Sequence, residues 1–168
     1  ILQGVGFGVG EGEVLSLLGR NGSGRSTTLK ALMGLVPPSR GSVRLAGQEM
    51  AGSPPSRICR AGLAFVPEER EVFANLTVDE NLRMGEQAAR AGRVQWSVEQ
   101  MFDYFPRLKE RRNTKAGSLS GGEQQMLTMC RTLMGDPDLV MIDEPTEGLA
   151  PMMVELVGKL LGEIAERG

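Results

Sequence analysis

At 168 residues, with 40% hydrophobic and 24% charged side chains, the chain is long enough for one domain with a real core and short for two. Lys plus Arg number 19 against 21 Asp plus Glu, and the resulting net charge of −2 draws the chain toward neither nucleic acid nor an anionic membrane surface. No apolar run approaches a membrane span, and Cys59 and Cys130 lack metal-ligand spacing and suit a reducing compartment.

In chain order, "GEVLSLLG" is a short apolar run closed by glycine, and "STTLKALMGL" carries Leu29, Leu32 and Met33 at helical spacing. That predicts strand, loop and helix. "GSVRLAG" predicts a short strand bounded by glycines, and "AGLAFVPEE" another that stops at Pro67. Residues 78–116 are polar and mostly helical in pattern, with "KERRNTK" expected as a solvated face. Trp96, Phe102, Tyr104 and Phe105 are expected to pack this stretch, and the ten methionines to fill core. After "LSGGEQQ" a helix presents Met126, Leu127, Cys130, Leu133 and Met134 on one face. "DLVMIDEP" predicts a buried strand ending in two carboxylates. Pro151 suits the first turn of a last helix striped by Met153, Leu156, Val157, Leu160 and Ile164. Strands alternating with helices give an α/β class with a mainly parallel sheet and an inserted helical part at 78–116. With no methionine before Ile1 and a helical pattern still running at Arg167 and Gly168, the expectation is one incomplete domain over 1–168.

Three stretches carry chemistry. "GRNGSGRST" nearly matches G-x-x-x-x-G-K-[ST], with Gly19, Gly24 and Ser26 in place and Arg25 where lysine is usual. Gly22 and Gly24 let the backbone turn tightly and offer bare N–H groups to a phosphate. The helix that follows aims its N-terminus at the same place, and the Ser26 hydroxyl can ligate Mg²⁺. A plain glycine-rich turn is the bland alternative. "LVMIDEP" brings Asp143 and Glu144 out at the C-terminal end of a strand, where open α/β sheets bind ligands. One carboxylate can hold Mg²⁺; the next can orient or deprotonate a water. In "LSGGEQQ", Ser120 and Glu123 form a capping box. Two glycines in that first helical turn cost roughly 1 kcal/mol each against alanine. The cost makes sense if another molecule's phosphate approaches there.

Taken together, "GRNGSGRST", "LSGGEQQ", "LVMIDEP" and "EGLAP" resemble the nucleotide-binding domain of an ABC transporter, a P-loop NTPase fold. "FVPEEREVFANLTVDENLRMG" and "FPRLKERRNTKAGSLSGGEQQML" resemble the LivF-type ATPase subunits of branched-chain amino-acid importers, and the match runs over nearly the whole chain. The resemblance implies that ATP and Mg²⁺ are held by Asn21, Gly22, Ser23, Gly24, Arg25, Ser26 and Thr27, with Asp143 supporting the metal and Glu144 as general base. It implies that Ser120, Gly121 and Gly122 touch the γ-phosphate bound by a second, related ATPase subunit set head to tail. Glu68 stands where most such domains have glutamine, and Glu147 to Pro151 match the loop that couples the two sites. It further implies permease subunits as partners, no nucleic acid, and a peripheral position on the cytoplasmic face of the inner membrane.

Two departures stand out. Arg25 replaces the loop lysine, and no histidine occurs anywhere in the chain. The family's switch position would lie beyond Gly168 and its adenine-stacking aromatic before Ile1. Arginine keeps the positive charge with a larger planar head, so the expectation is retained ATP binding with slow turnover. A regulatory ATP-binding domain with little or no turnover stays open as an alternative. An ATP-driven clamp on DNA or ribosomes would call for a long coiled-coil insertion or tandem domains, and this chain has neither.

Overall fold

The computed structural model describes residues 2–87 and 95–167. Its centre is a parallel pair of strands, β3 (Leu63–Val66) and β4 (Leu139–Ile142), in the register Leu63↔Leu139 to Val66↔Ile142. Both were expected from their apolar runs. Gly62 O accepts from the N–H groups of Asp138 and Leu139 at one end, and Val66 O accepts from Asp143 N at the other, at 2.9 Å. The chain therefore leaves both strands at the same edge of the sheet. A small antiparallel hairpin, β1 (Arg44–Leu45) with β2 (Gln48–Glu49), turns through Ala46 and Gly47 at φ 47° and 78°. It is all that forms of the strand expected over "GSVRLAG".

Helices cover both faces of the parallel pair. On one face α1 (Arg25–Leu32) and α2 (Pro55–Arg60) close a small core of Met33, Met50, Ile58, Leu63 and Met141. On the other face α3 (Val78–Arg83), α4 (Val98–Tyr104), α5 (Pro106–Glu110), α6 (Gly121–Leu133) and α7 (Pro151–Arg167) build a larger one. Successive strand residues point to opposite faces, so Leu63 joins the first core and Val66 the second. Met101, Phe102, Met126 and Leu127 are wholly inaccessible in the second core. Burying one such side chain contributes roughly 1.5–3 kcal/mol.

Three helices of the larger core start with the same device. Thr77 with Glu80, Ser97 with Gln100 and Ser120 with Glu123 form complete capping boxes, each side chain bonded to the other residue's backbone N–H. The stretch 78–116 holds α3, α4, α5 and the start of a 3-10 turn (Ala116–Ser118), while its residues 88–94 lie outside the described ones. "KERRNTK" is more than a solvated face. Arg112 pairs with Asp79 at 2.6 Å and Glu99 at 3.4 Å, and it lies 5.1 Å from the Phe102 ring centroid, tying α3 to α4. Trp96, Phe102 and Phe105 are buried as expected, with Tyr104 edge-on to Trp96 at 6.0 Å.

One expected strand does not form. Residues 13–20 have no regular structure, and Val14, Leu15 and Leu18 are 68%, 46% and 91% exposed. A cleft of about 840 Å³ separates this segment from β4, with Leu15, Leu17, Leu139, Met141 and Ile164 among its walls. A strand exists through its ladder partner, and across this gap no backbone group is close enough to pair.

Candidate functional site

The loop before α1 takes the shape that its glycines permit. Gly22 and Gly24 stand at φ 81° and 96°, a region that side chains with a Cβ rarely enter. Ser23 N donates to Arg20 O at 3.0 Å, and Gly24 O receives both the N–H and the hydroxyl of Thr28 at 2.8 Å. A Cβ on Gly19 would stand 2.5 Å from Ser23 Oγ, so the loop closes tightly on itself. Asn21, Gly22 and Ser23 are exposed, while Ser26 and Thr27 are half-buried in the first turn of α1. Arg25 points toward the sheet.

Asp143 and Glu144 follow β4. Asp143 is only 4% exposed, and its carboxylate makes no ion pair or side-chain hydrogen bond among the described residues. Asp143 and Glu144 both line the larger cleft, and a carboxylate that faces a cleft without a protein partner is the kind of group that a cation satisfies. Among the described residues no three His, Cys, Asp or Glu side chains could hold a metal alone. A metal here would draw further ligands from a hydroxyl such as that of Ser26 and from substrate oxygens. Glu144 adopts φ 48°, an uncommon value for a residue with a long side chain. Such strain costs on the order of 1 kcal/mol and gathers at functional sites. Its Oε1 lies 2.5 Å from Arg25 Nη2, and Arg25 also reaches Asn21 Oδ1 at 3.4 Å. The phosphate-type loop and the end of β4 thus meet through a direct ion pair. Lys30 takes no part in it and pairs with Glu69 at 3.7 Å.

Glu144 also borders a second, smaller cleft of about 290 Å³, shared with Glu68, Glu69, Arg70, Gln125 and Glu147. Glu68 is exposed there, in the loop after β3. That loop is held from behind by Asn81, fully buried, whose amide accepts from Phe73 N and donates to the carbonyls of Phe73, Leu76 and Thr77. Arg131 adds a bond to Asn81, another to the Glu71 carbonyl, and a stacked contact on Phe73 at 4.6 Å.

The N-terminus of α6 opens on the same side. Ser120 N donates to Glu123 Oε2 at 2.8 Å, and Ser120 Oγ accepts from Glu123 N at 3.3 Å. Burial disfavours the Glu123 carboxylate, but its bonds from Ser120 and the nearby Arg111 outweigh this and hold its pKa below the usual value. The two glycines have neighbours within the chain. A Cβ on Gly121 would run into the Arg70 guanidinium, and one on Gly122 would stand 3.1 Å from Met153 Sδ.

The likeness to known proteins can now be set beside this geometry. A family model described as ABC transporter matches residues 2–147. The chain belongs to the ABC transporter family. It is 42% identical over 167 residues to the high-affinity branched-chain amino acid transport ATP-binding protein BraG of Pseudomonas aeruginosa, covering 99% of this chain and 72% of that protein. It is 38% identical over 157 residues to the probable branched-chain amino acid transport ATP-binding protein LivF of Archaeoglobus fulgidus, covering 94% and 66%. Among solved structures, it resembles an ATP-binding cassette in a dimeric post-hydrolysis state bound to ADP and Pi, at a TM-score of 0.79 and 25% identity, over 95% of this chain and 72% of that one. The fold is therefore that of an ABC ATPase, a P-loop NTPase.

Within this ABC domain, the structure brings Arg25 to Glu144 and sets Glu68 beside Glu144 at the second cleft. Ser120 to Gly122 approach the same region through Arg70, Leu149 and the Met153 side chain of α7 rather than touching the loop at 21–27. Arg70 and Gln125 were not anticipated. Arg70 shares its loop with Glu68, but no local pattern says that its guanidinium will rest on Gly121. The Gln125 Oε1 is buried with no hydrogen-bond partner among the described residues, a feature that only packing reveals.

Proposed function

We propose that this chain is the nucleotide-binding part of the ATP-hydrolysing subunit of a transporter for branched-chain or related amino acids. The observation that carries the site is the meeting of Arg25 with Glu144, which joins the glycine loop to the end of β4. The solute class rests on the identity to BraG and LivF, whose names assign them to branched-chain amino acid transport. Here ATP phosphates lie on the backbone N–H groups of residues 21–27, where the start of α1 favours negative charge. Ser26 and Asp143 would hold Mg²⁺, which when bound would supply neutralisation of charge on the phosphates. Glu144 orients and deprotonates the attacking water, and Arg25 contacts the β- and γ-phosphates. Glu68 stands beside the base in the second cleft and senses the metal and the permease.

The same reading places Ser120, Gly121 and Gly122 against the nucleotide of a second, related ATPase subunit set head to tail, which makes the working unit a heterodimer. Residues 78–116 form a helical subdomain of one nucleotide-binding domain and present the surface for permease subunits. Import is the direction of transport, and the subunit is peripheral on the cytoplasmic face of the inner membrane. Among the described residues no helix is long and apolar enough to cross a membrane, so attachment comes through the permease.

The test is phosphate release by the full-length subunit assembled with its partners. Glu144→Gln lowers turnover by roughly 10²–10⁴-fold, the usual contribution of a positioned general base, while nucleotide binding survives. Turnover unchanged by this substitution would remove Glu144 from the chemistry.

A further inference from the structure

The proposed reaction uses Arg25 and Glu144 for separate tasks, yet the structure joins them. Arg25 Nη2 stands 2.5 Å from Glu144 Oε1, and the two side chains are only 26% and 28% exposed. An ion pair this close between partly sheltered groups is screened less by solvent than one on the open surface. With Glu144 Oε1 and Asn21 Oδ1 both against Nη2, that nitrogen has no free side to offer a phosphate oxygen. The carboxylate, for its part, is engaged by the cation at the start of α1. Residue type matters here. Arginine carries one nitrogen, Nη2, to both Glu144 and Asn21 at the end of a long planar head, whereas lysine ends in a compact ammonium on a different stem.

We infer that Arg25 is a positioning residue for Glu144: it latches the carboxylate in the nucleotide-free protein and releases it when phosphate oxygens take over its N–H groups. This deepens the nucleotide-site reading given above and rests on it. Arrival of nucleotide and liberation of the base are then one exchange, so Glu144 is free to act only where a phosphate chain already lies on the loop. The latch also has a cost for binding. Nucleotide must compete with Glu144 for the guanidinium, and if about nine molecules in ten are latched, the apparent affinity falls ~10-fold.

The experiment is nitrogen-15 NMR of the Arg25 guanidinium in the full-length subunit, together with calorimetric ADP affinities, ADP being used because no hydrolysis can follow. In the free protein the Arg25 Nη signals should show the slowed rotation of a guanidinium held by a carboxylate. Glu144→Gln, or Glu144→Ala should the first variant not fold, should abolish that signature, and so should ADP added to the native chain. Glu144→Gln should tighten ADP binding about tenfold in the native background and clearly less in Arg25→Lys. Arg25 signals that ignore both Glu144→Gln and ADP would overturn the latch, as would equal tightening in the two backgrounds. An Arg25 signature that responds to Glu144→Gln in a protein that binds no ADP would leave the ion pair standing but refute the exchange, and with it the nucleotide reading of the site.

Discussion

The helices between Thr77 and Leu133 and the segment between Val9 and Leu18 are both rich in apolar residues, and they fare in opposite ways. In the first, Phe102, Met101, Leu82 and Met126 are fully enclosed, three helices begin in closed capping boxes, and Asp79 and Arg112 bind neighbouring helices together. In the second, Leu18 is 91% exposed and the backbone joins no strand ladder beside a cleft of about 840 Å³. A helix satisfies its own backbone and needs only a surface to pack on. A strand needs a neighbour at hydrogen-bonding distance before its side chains can be buried at all. The functional site sits where these regimes meet: Glu144 follows a strand paired along its length with β3, and Arg25 opens α1 behind a loop whose leading segment joins no strand.

Five substitutions test that contrast, in order of expected effect on stability. Phe102→Ala opens a cavity in the larger core and should lower the unfolding free energy by about 3–5 kcal/mol, measured by urea denaturation. A loss below about 1 kcal/mol would mean that the helical region is no better packed than the leader. Ser120→Ala removes the cap of α6 and should cost about 1 kcal/mol in the same assay, with Thr77→Ala similar. Acid should erode the helical side through Asp79. The bonded Arg83 is the main cause that holds the Asp79 carboxyl below its usual pKa, with Arg112 adding to it and burial opposing. Its stabilising contribution is present above the unfolded value of about 3.9 and disappears as pH falls through the lower folded value. Arg83→Met should therefore move the midpoint of acid unfolding to higher pH, and an unmoved midpoint would show that this pair contributes nothing. Leu18→Ala should change stability by less than about 0.5 kcal/mol, as for an exposed surface position. A large loss there would show that the leader is packed in solution.

Much of this contrast was legible in the sequence, for local reasons. The cap at Ser120, the start of α7 at Pro151, and the strands that end at Pro67 and Asp143 follow from residue types a few positions apart. The boxes at Thr77 and Ser97 carry the same Ser/Thr-x-x-Glu/Gln spacing and were open to the same argument. The failed strand at residues 13–20 was not legible, because its apolar run matches that of β4 and the difference lies in what stands beside it. The pairing of Arg25 with Glu144 was equally out of reach. It depends on how far a side chain extends across a junction between distant segments, and periodicity says nothing about that. Arg112 shows the same limit: a charge run looks solvated until a folded neighbour such as Asp79 is set against it.

The parallel register of β3 and β4 has a further consequence, for how freely the protein's length can change. Val66 and Ile142 are direct partners in parallel strands, so the chain leaves β3 at the site edge and crosses to the opposite edge to enter β4 at Leu139. Everything between them is an excursion whose two ends are pinned by the sheet rather than by its own contents. Doubling a flexible stretch within such an excursion costs only about 0.6 kcal/mol in closure entropy. Flexible stretches between those helices can thus be lengthened at small cost, and docking surfaces of different outline can be carried on one unchanged core and set of strand ends.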